Sequence, residues 1–269
     1  MKTPQHLRTV TSDLSNNVAP RPSLQERYAS TRAATLAIAA PLSDEDCAIQ
    51  SMPDASPIKW HLAHTSWFFE TFLLEPHLPA YRAFNPAFRM LFNSYYNAVG
   101  DKHPRPQRGL LSRPSRAEVI EYRQHVDIGM DALMQQPESV VEAAATLITL
   151  GINHEQQHQE LMLTDLLHML SCNPLEPAYV LGGESGIGAS PPLTWVEHEA
   201  ALVEIGHDGQ GFAFDNETPR HRQYLHGMHR RPPAEVADLR TATRAVRHDQ
   251  LTRAGRSHRR QQPRLRHRP

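Results

Sequence analysis

The sequence predicts a mainly α-helical protein: a four-helix bundle, then an incomplete α+β fragment, then a disordered basic tail. Three observations carry this. Apolar residues at helical spacing, with caps and prolines at their ends, fill the chain up to Pro174. No strand-rich stretch and no internal repeat occurs before that point. Beyond it come glycine turns and short apolar runs such as "ALVEIG" and "GFAF", which read as strands.

Residues 1–22 read as a flexible leader, and the bundle is expected over 23–173. In "SLQERYASTRAATLAIAAPL", Ser23 is the N-cap of a first helix that stops at Pro41. "SDEDCAIQSMPDAS" is a connector with one helical turn. A second helix opens at Pro57, runs through "IKWHLAHTSWFFETFLLE" and is ended by Pro76. Leu62, Trp67, Phe68, Phe69, Phe72, Leu73 and Leu74 give it a broad buried face. The Pro-, aromatic- and Arg-rich stretch from Pro76 to Pro114 is too long for a plain loop, so it is functional or carries short helices. Ser115 and Glu118 form a capping box for a third helix, "RAEVIEYRQHVDIGMDALMQQ". The fourth helix starts at Glu138 and runs to the break at Asn173-Pro174. Helices joined in this way form an antiparallel bundle.

A mixed fragment is expected over 174–225 and an Arg-rich tail over 226–269. The tail has no aromatic residue and few large aliphatics, so it cannot bury enough apolar area to offset chain entropy. Lys plus Arg number 28 against 29 Asp plus Glu, which argues against a general nucleic-acid binder. The basic residues are nevertheless concentrated in the tail. The chain has 39% apolar residues and only two distant cysteines, Cys47 and Cys172. With no apolar signal core and no run long enough to span a bilayer, it reads as soluble and cytoplasmic, with no membrane partner.

The 17 histidines are the unusual feature. His154 and His158 in "NHEQQHQELMLTDL" are four residues apart, so both leave one helix face about a turn from each other. Two imidazoles so placed can reach one ion, each at about 2.0–2.2 Å. Leu147, Leu150, Gly151 and Leu161 make that side apolar, which points the pair at the bundle interior. There an imidazole needs a partner. The second helix offers His61 and His64, either of which could complete a three-histidine face, as for a non-haem iron or a zinc ion. The motif is also H-E-x-x-H, the helix of a zinc peptidase with Glu155 as base. Against that stand the absence of a preceding sheet and of a suitable downstream ligand: Glu160 is too close and Glu176 lies in a loop. Glu155 therefore reads as a helix neighbour.

Four segments in order, "SPIKWHLAHTSWFFETFLL", "LFNSYYNAVGDKHPRPQRGLLSRP", "NHEQQHQELMLTDL" and "FAFDNETPRH", resemble the ergothioneine-biosynthesis sulfoxide synthases. The resemblance covers about residues 24–224. It implies a DinB-like four-helix bundle followed by a domain similar to formylglycine-generating enzyme, the sulfatase-modifying-factor type. It implies Fe(II) held by His64, His154 and His158, with His61 ranked below His64. It further implies that Gln157 helps hold hercynine, and that Arg105 and Arg108 hold the carboxylates of cysteine or γ-glutamylcysteine. The implied reaction is oxygen-dependent C–S bond formation giving a sulfoxide at the imidazole C2 carbon.

The chain departs from the family after Tyr224. The second domain of relatives continues and supplies a tyrosine, whereas no tyrosine occurs beyond Tyr224 here. The tail reads like out-of-frame translation, so the expectation is a truncated relative of weak or no turnover. Two other readings stay open: a stand-alone DinB-like metal-dependent thiol transferase, and a non-catalytic scaffold with a basic interaction tail.

Overall fold

The computed structural model describes residues 22–180 and 195–230. The expected leader, apart from residue 22, and the tail beyond residue 230 lie outside the described residues. The chain divides into two compact units, residues 1–183 and 184–269.

Within the first unit, α1 (Leu24–Ala39) starts at Ser23, whose Oγ accepts from the Glu26 N–H at 3.2 Å. Glu26 Oε2 accepts the Ser23 N–H at 2.7 Å, closing a capping box. The same device starts α5 (Arg116–Met134), where Ser115 and Glu118 exchange bonds of 2.7 and 3.2 Å. Between them lie α2 (Ile58–Phe69), α3 (Glu75–His77) and α4 (Phe88–Leu91), and after them the 34-residue α6 (Glu138–Ser171). The connector holds a single 3₁₀ turn, Asp46–Ala48. The long stretch before α5 carries α4 and two further 3₁₀ turns, Asn97–Val99 and Arg105–Leu110.

Every residue of α2 is buried, as expected of a helix that packs on all sides. It lies against both α5 and α6, while α1 packs along α6. Trp67, Phe68, Phe69, Tyr122, Phe88 and Phe92 fill the space around it.

Two expectations need correction. Pro76 does not end the second helix: a π-helical turn, Glu70–Leu74, continues α2, and Pro76 lies within α3. The wider turn shifts the hydrogen-bond register, with the Glu75 N–H donating to the Glu70 carbonyl, so a residue without an N–H is tolerated just beyond. The turn also buries Glu70, whose carboxylate accepts from the hydroxyls of Tyr81 (2.7 Å) and Tyr122 (2.6 Å) and from the Phe84 N–H (3.0 Å). Leu161, expected on the inward face of α6, is exposed. The buried stripe runs through Ile148, Gly151, Ile152, Glu155, His158, Met162 and Leu166, so His158 lies within it beside Glu155, and His154 is half-buried at its edge.

The second unit carries β1 (Val196–His198), β2 (Ala201–Ile205), β3 (His221–Leu225) and β4 (Met228–Arg230). They form two antiparallel pairs, β1 with β4 and β2 with β3. β4 falls in the segment that composition assigns to the tail; its pairing is made by backbone groups, which composition does not report. Among the residues of this unit whose burial is described, none is buried. No helix among the described residues is long and apolar enough to cross a membrane.

Candidate metal centre

Helices α2 and α6 pack against each other and bring His64, His154 and His158 together. One ring nitrogen from each lies within 4.8 Å of the others. Small side-chain rotations from that spacing allow three nitrogens to reach one ion at about 2.0–2.2 Å. The ring centroids of His154 and His158 are 4.6 Å apart, and that of His64 lies 5.1 and 4.8 Å from them.

Each ring is placed differently. His64 donates from Nδ1 to the Phe92 carbonyl at 2.6 Å, which leaves Nε2 as the unprotonated nitrogen. Its ring is nearly parallel to Trp60, at 4.5 Å, and to Trp67, at 5.4 Å. His158 meets His61 through their Nδ1 atoms at 2.8 Å, and His61 Nε2 lies 3.1 Å from Asp165 Oδ2. His154 is half-buried, packs on Phe68, and has a buried Nδ1 with no hydrogen-bond partner. A buried nitrogen left in this state is costly unless something binds it, and an ion shared with its two neighbours fits the donor set.

The electrostatics favour the ligand form. Burial holds His64 and His158 well below the ordinary histidine value, and the neighbouring histidines add to it. Burial pushes His154 down to about 4, against the opposing charge of Glu155. His61 is lowered by burial despite Asp165. All four are neutral at pH 7, with lone pairs available.

Glu155 is committed elsewhere. It is fully buried, and its two oxygens take Arg123 Nη2 at 2.9 Å and Arg32 Nη1 at 3.0 Å. Arg32 also binds Asp127 at 2.7 Å and Ser66 Oγ at 2.9 Å, so two cations and two anions balance. Burial raises the Glu155 carboxyl, but Arg32 and Arg123 outweigh it and hold the group at about 2. A carboxylate held so low and so dry is a poor proton acceptor at neutral pH.

Arg105 and Arg108 stand one turn apart on the 3₁₀ segment Arg105–Leu110, where positions three apart eclipse. Arg108 is buried, with its guanidinium carbon 3.4 Å from the centroid of Trp60, the ring that His64 stacks on. It donates to Ser56 Oγ (2.9 Å) and Ser94 Oγ (3.3 Å), and its Nε has no partner. Burial, and then the charge of Arg105, lower it to about 10. Arg105 donates to the Tyr95 hydroxyl at 2.6 Å and to the Asp54 carbonyl. Gln157 is exposed on α6, one turn after His154.

Asp165, Arg32 and Arg123 do not stand out as site residues in the sequence, and His61 appears there only as a ligand ranked below His64. A signal exists for Asp165, which lies seven residues beyond His158, two turns along the same face. The arginines come from distant helices and carry no local pattern.

A family model described as the DinB superfamily matches residues 27–162, just over half the chain and all three histidines. No curated protein matches the chain.

Proposed function

The chain belongs to the DinB superfamily, and from that premise we propose that it is a non-haem iron, oxygen-dependent sulfoxide synthase joining hercynine to cysteine or γ-glutamylcysteine. The observation that carries the reading is the convergence of three neutral imidazoles, from α2 and α6, on one point inside the bundle. Bound Fe(II) would supply a redox-active centre whose remaining positions are open to substrates and dioxygen.

The chain's own residues orient the partners. His64 is locked by the Phe92 carbonyl and by Trp60, so its Nε2 has one direction in which to act. Arg108 and Arg105 offer guanidinium forks, which suit the carboxylates of an amino-acid thiol. Arg108 already lies in a water-poor position without a carboxylate partner among the described residues, so an incoming carboxylate would meet a poorly solvated cation. Gln157, beside the histidines, would place its amide against hercynine. In this reading the strands of the second unit begin a domain similar to formylglycine-generating enzyme.

Protein purified without oxygen and loaded with Fe(II) is expected to bind the metal and to give hercynine sulfoxide, read by mass spectrometry, only weakly, as a truncated relative would, with His154→Ala losing both metal and product. A second reading is favoured by the family match being confined to the bundle: a DinB-like metal-dependent thiol transferase. Thiol-dependent product formed equally well without oxygen would overturn the synthase reading in its favour.

A further inference from the structure

His61 is not among the three converging ligands, yet both of its ring nitrogens are engaged inside the bundle. It is 2% exposed, with Nε2 at 3.1 Å from Asp165 Oδ2 and Nδ1 at 2.8 Å from His158 Nδ1. The partners dictate where the protons sit. An ionised carboxylate only accepts, and Asp165 Oδ2 already takes the Ser56 N–H at 2.8 Å. His61 Nε2 must therefore donate to it. A neutral imidazole has one N–H, so His61 Nδ1 accepts, and the proton between the two rings belongs to His158 Nδ1. His158 Nε2 is then a bare lone pair. The reverse arrangement would put the His158 proton on Nε2 and close that nitrogen to a metal.

We propose that His61, held by Asp165, is a positioning residue that fixes His158 in its Nδ1–H form and keeps its Nε2 open to a metal ion. The inference rests on the three-histidine reading and extends it to residues outside the ligand set. It gives His158 what the Phe92 carbonyl gives His64: an acceptor that settles the tautomer and the ring orientation. Each ligand-bearing helix thus supplies one of the two outer partners, α2 through His61 and α6 through Asp165. Asp165 in turn is tied to the residues before α2 by the Ser56 N–H, while Ser56 Oγ accepts from Arg108 at 2.9 Å.

The test uses the full chain free of metal, with ¹⁵N-labelled histidine and the His158 signals identified through His158→Ala. Wild-type protein is expected to show His158 protonated at Nδ1. His61→Phe keeps a ring of similar size but removes the acceptor; the tautomer should shift toward Nε2–H, and Co(II) affinity, read from its absorption spectrum, should fall about 10–100-fold. Asp165→Leu should act in the same direction. His61→Asn returns an acceptor oxygen near the Nδ1 position and should restore the tautomer and most of the affinity. Circular dichroism checks that the helices persist, and if His61→Phe fails to fold, the wild-type tautomer and the Asn variant decide the matter. His158 protonated at Nε2 in the wild type overturns the inference. So does undiminished Co(II) affinity in His61→Phe, although the metal site then stands. A wild-type chain that binds no Co(II) overturns the metal site itself and the inference with it.

Discussion

Glu155→Gln removes one charge from a buried cluster in which Arg32, Arg123, Asp127 and Glu155 otherwise cancel. Both arginines are almost wholly buried, so water cannot replace the lost partner. The expected cost is about 3–5 kcal/mol of stability, read from the urea midpoint. A Glu155 acting as a catalytic base would lose activity at unchanged stability instead. The same groups set the pH dependence. The Glu155 carboxyl lies near 2 rather than its ordinary 4.5, so its contribution is complete above about 4.5 and is lost as pH falls through about 2. The histidines act earlier. His154 takes its proton near 4 in the fold but near 6.5 when unfolded, so the metal-free protein loses stability as pH falls from 6.5 through about 4. His61, His64 and His158 are shifted in the same direction. Acid titration of the metal-free chain should show this earlier loss, and His154→Ala should make it shallower. A flat profile from pH 7 to 4 would count against a buried neutral cluster.

Gly151 shows how the helices, as elements, set the site. A Cβ built there would lie 2.5 Å from Phe69 Cε1 and 3.0 Å from Phe68 Cε1, both on α2 and both fully packed. Gly151→Ala gains about 1 kcal/mol in helix propensity, yet overpacking costs about 1–3 kcal/mol. The net expectation is a destabilised protein with weaker Co(II) binding. Pushing α6 away from α2 at residue 151 separates His154, one turn on, from His64. Unchanged affinity with lowered stability would show that the ligands do not depend on this close approach. The helices themselves are legible in the sequence because their signals are local: the Ser23–Glu26 and Ser115–Glu118 boxes, and the apolar spacing of α6. The π turn is not, because a proline reads as a stop unless the register before it is known. Nor is the course of the stretch before α5, which is fixed by long-range bonds such as Gln50 Oε1 accepting the Gly109 N–H at 2.7 Å.

At the scale of the whole molecule, texture alone separates a helical region from the glycine-rich stretch beyond Pro174, and the helical bundle agrees with that reading. The histidines are visible in the sequence as spacing on each helix, whereas their orienting contacts are not, since Phe92, Asp165 and the ring of His61 meet them only through packing. All of these residues lie in the first unit, together with Arg105, Arg108, Trp60 and the buried ion cluster. The apolar core of that unit, from Tyr28 to Leu170, is continuous and includes the large buried side chains around the site. A fragment spanning residues 22–180 should therefore fold cooperatively and bind Co(II) within about threefold of the full chain, a difference below about 0.7 kcal/mol. Side-by-side titrations with thermal unfolding check this. A fragment that folds but binds ten times more weakly would mean that residues beyond 180 complete the ligand set, and the three-histidine site would have to be redrawn to include them.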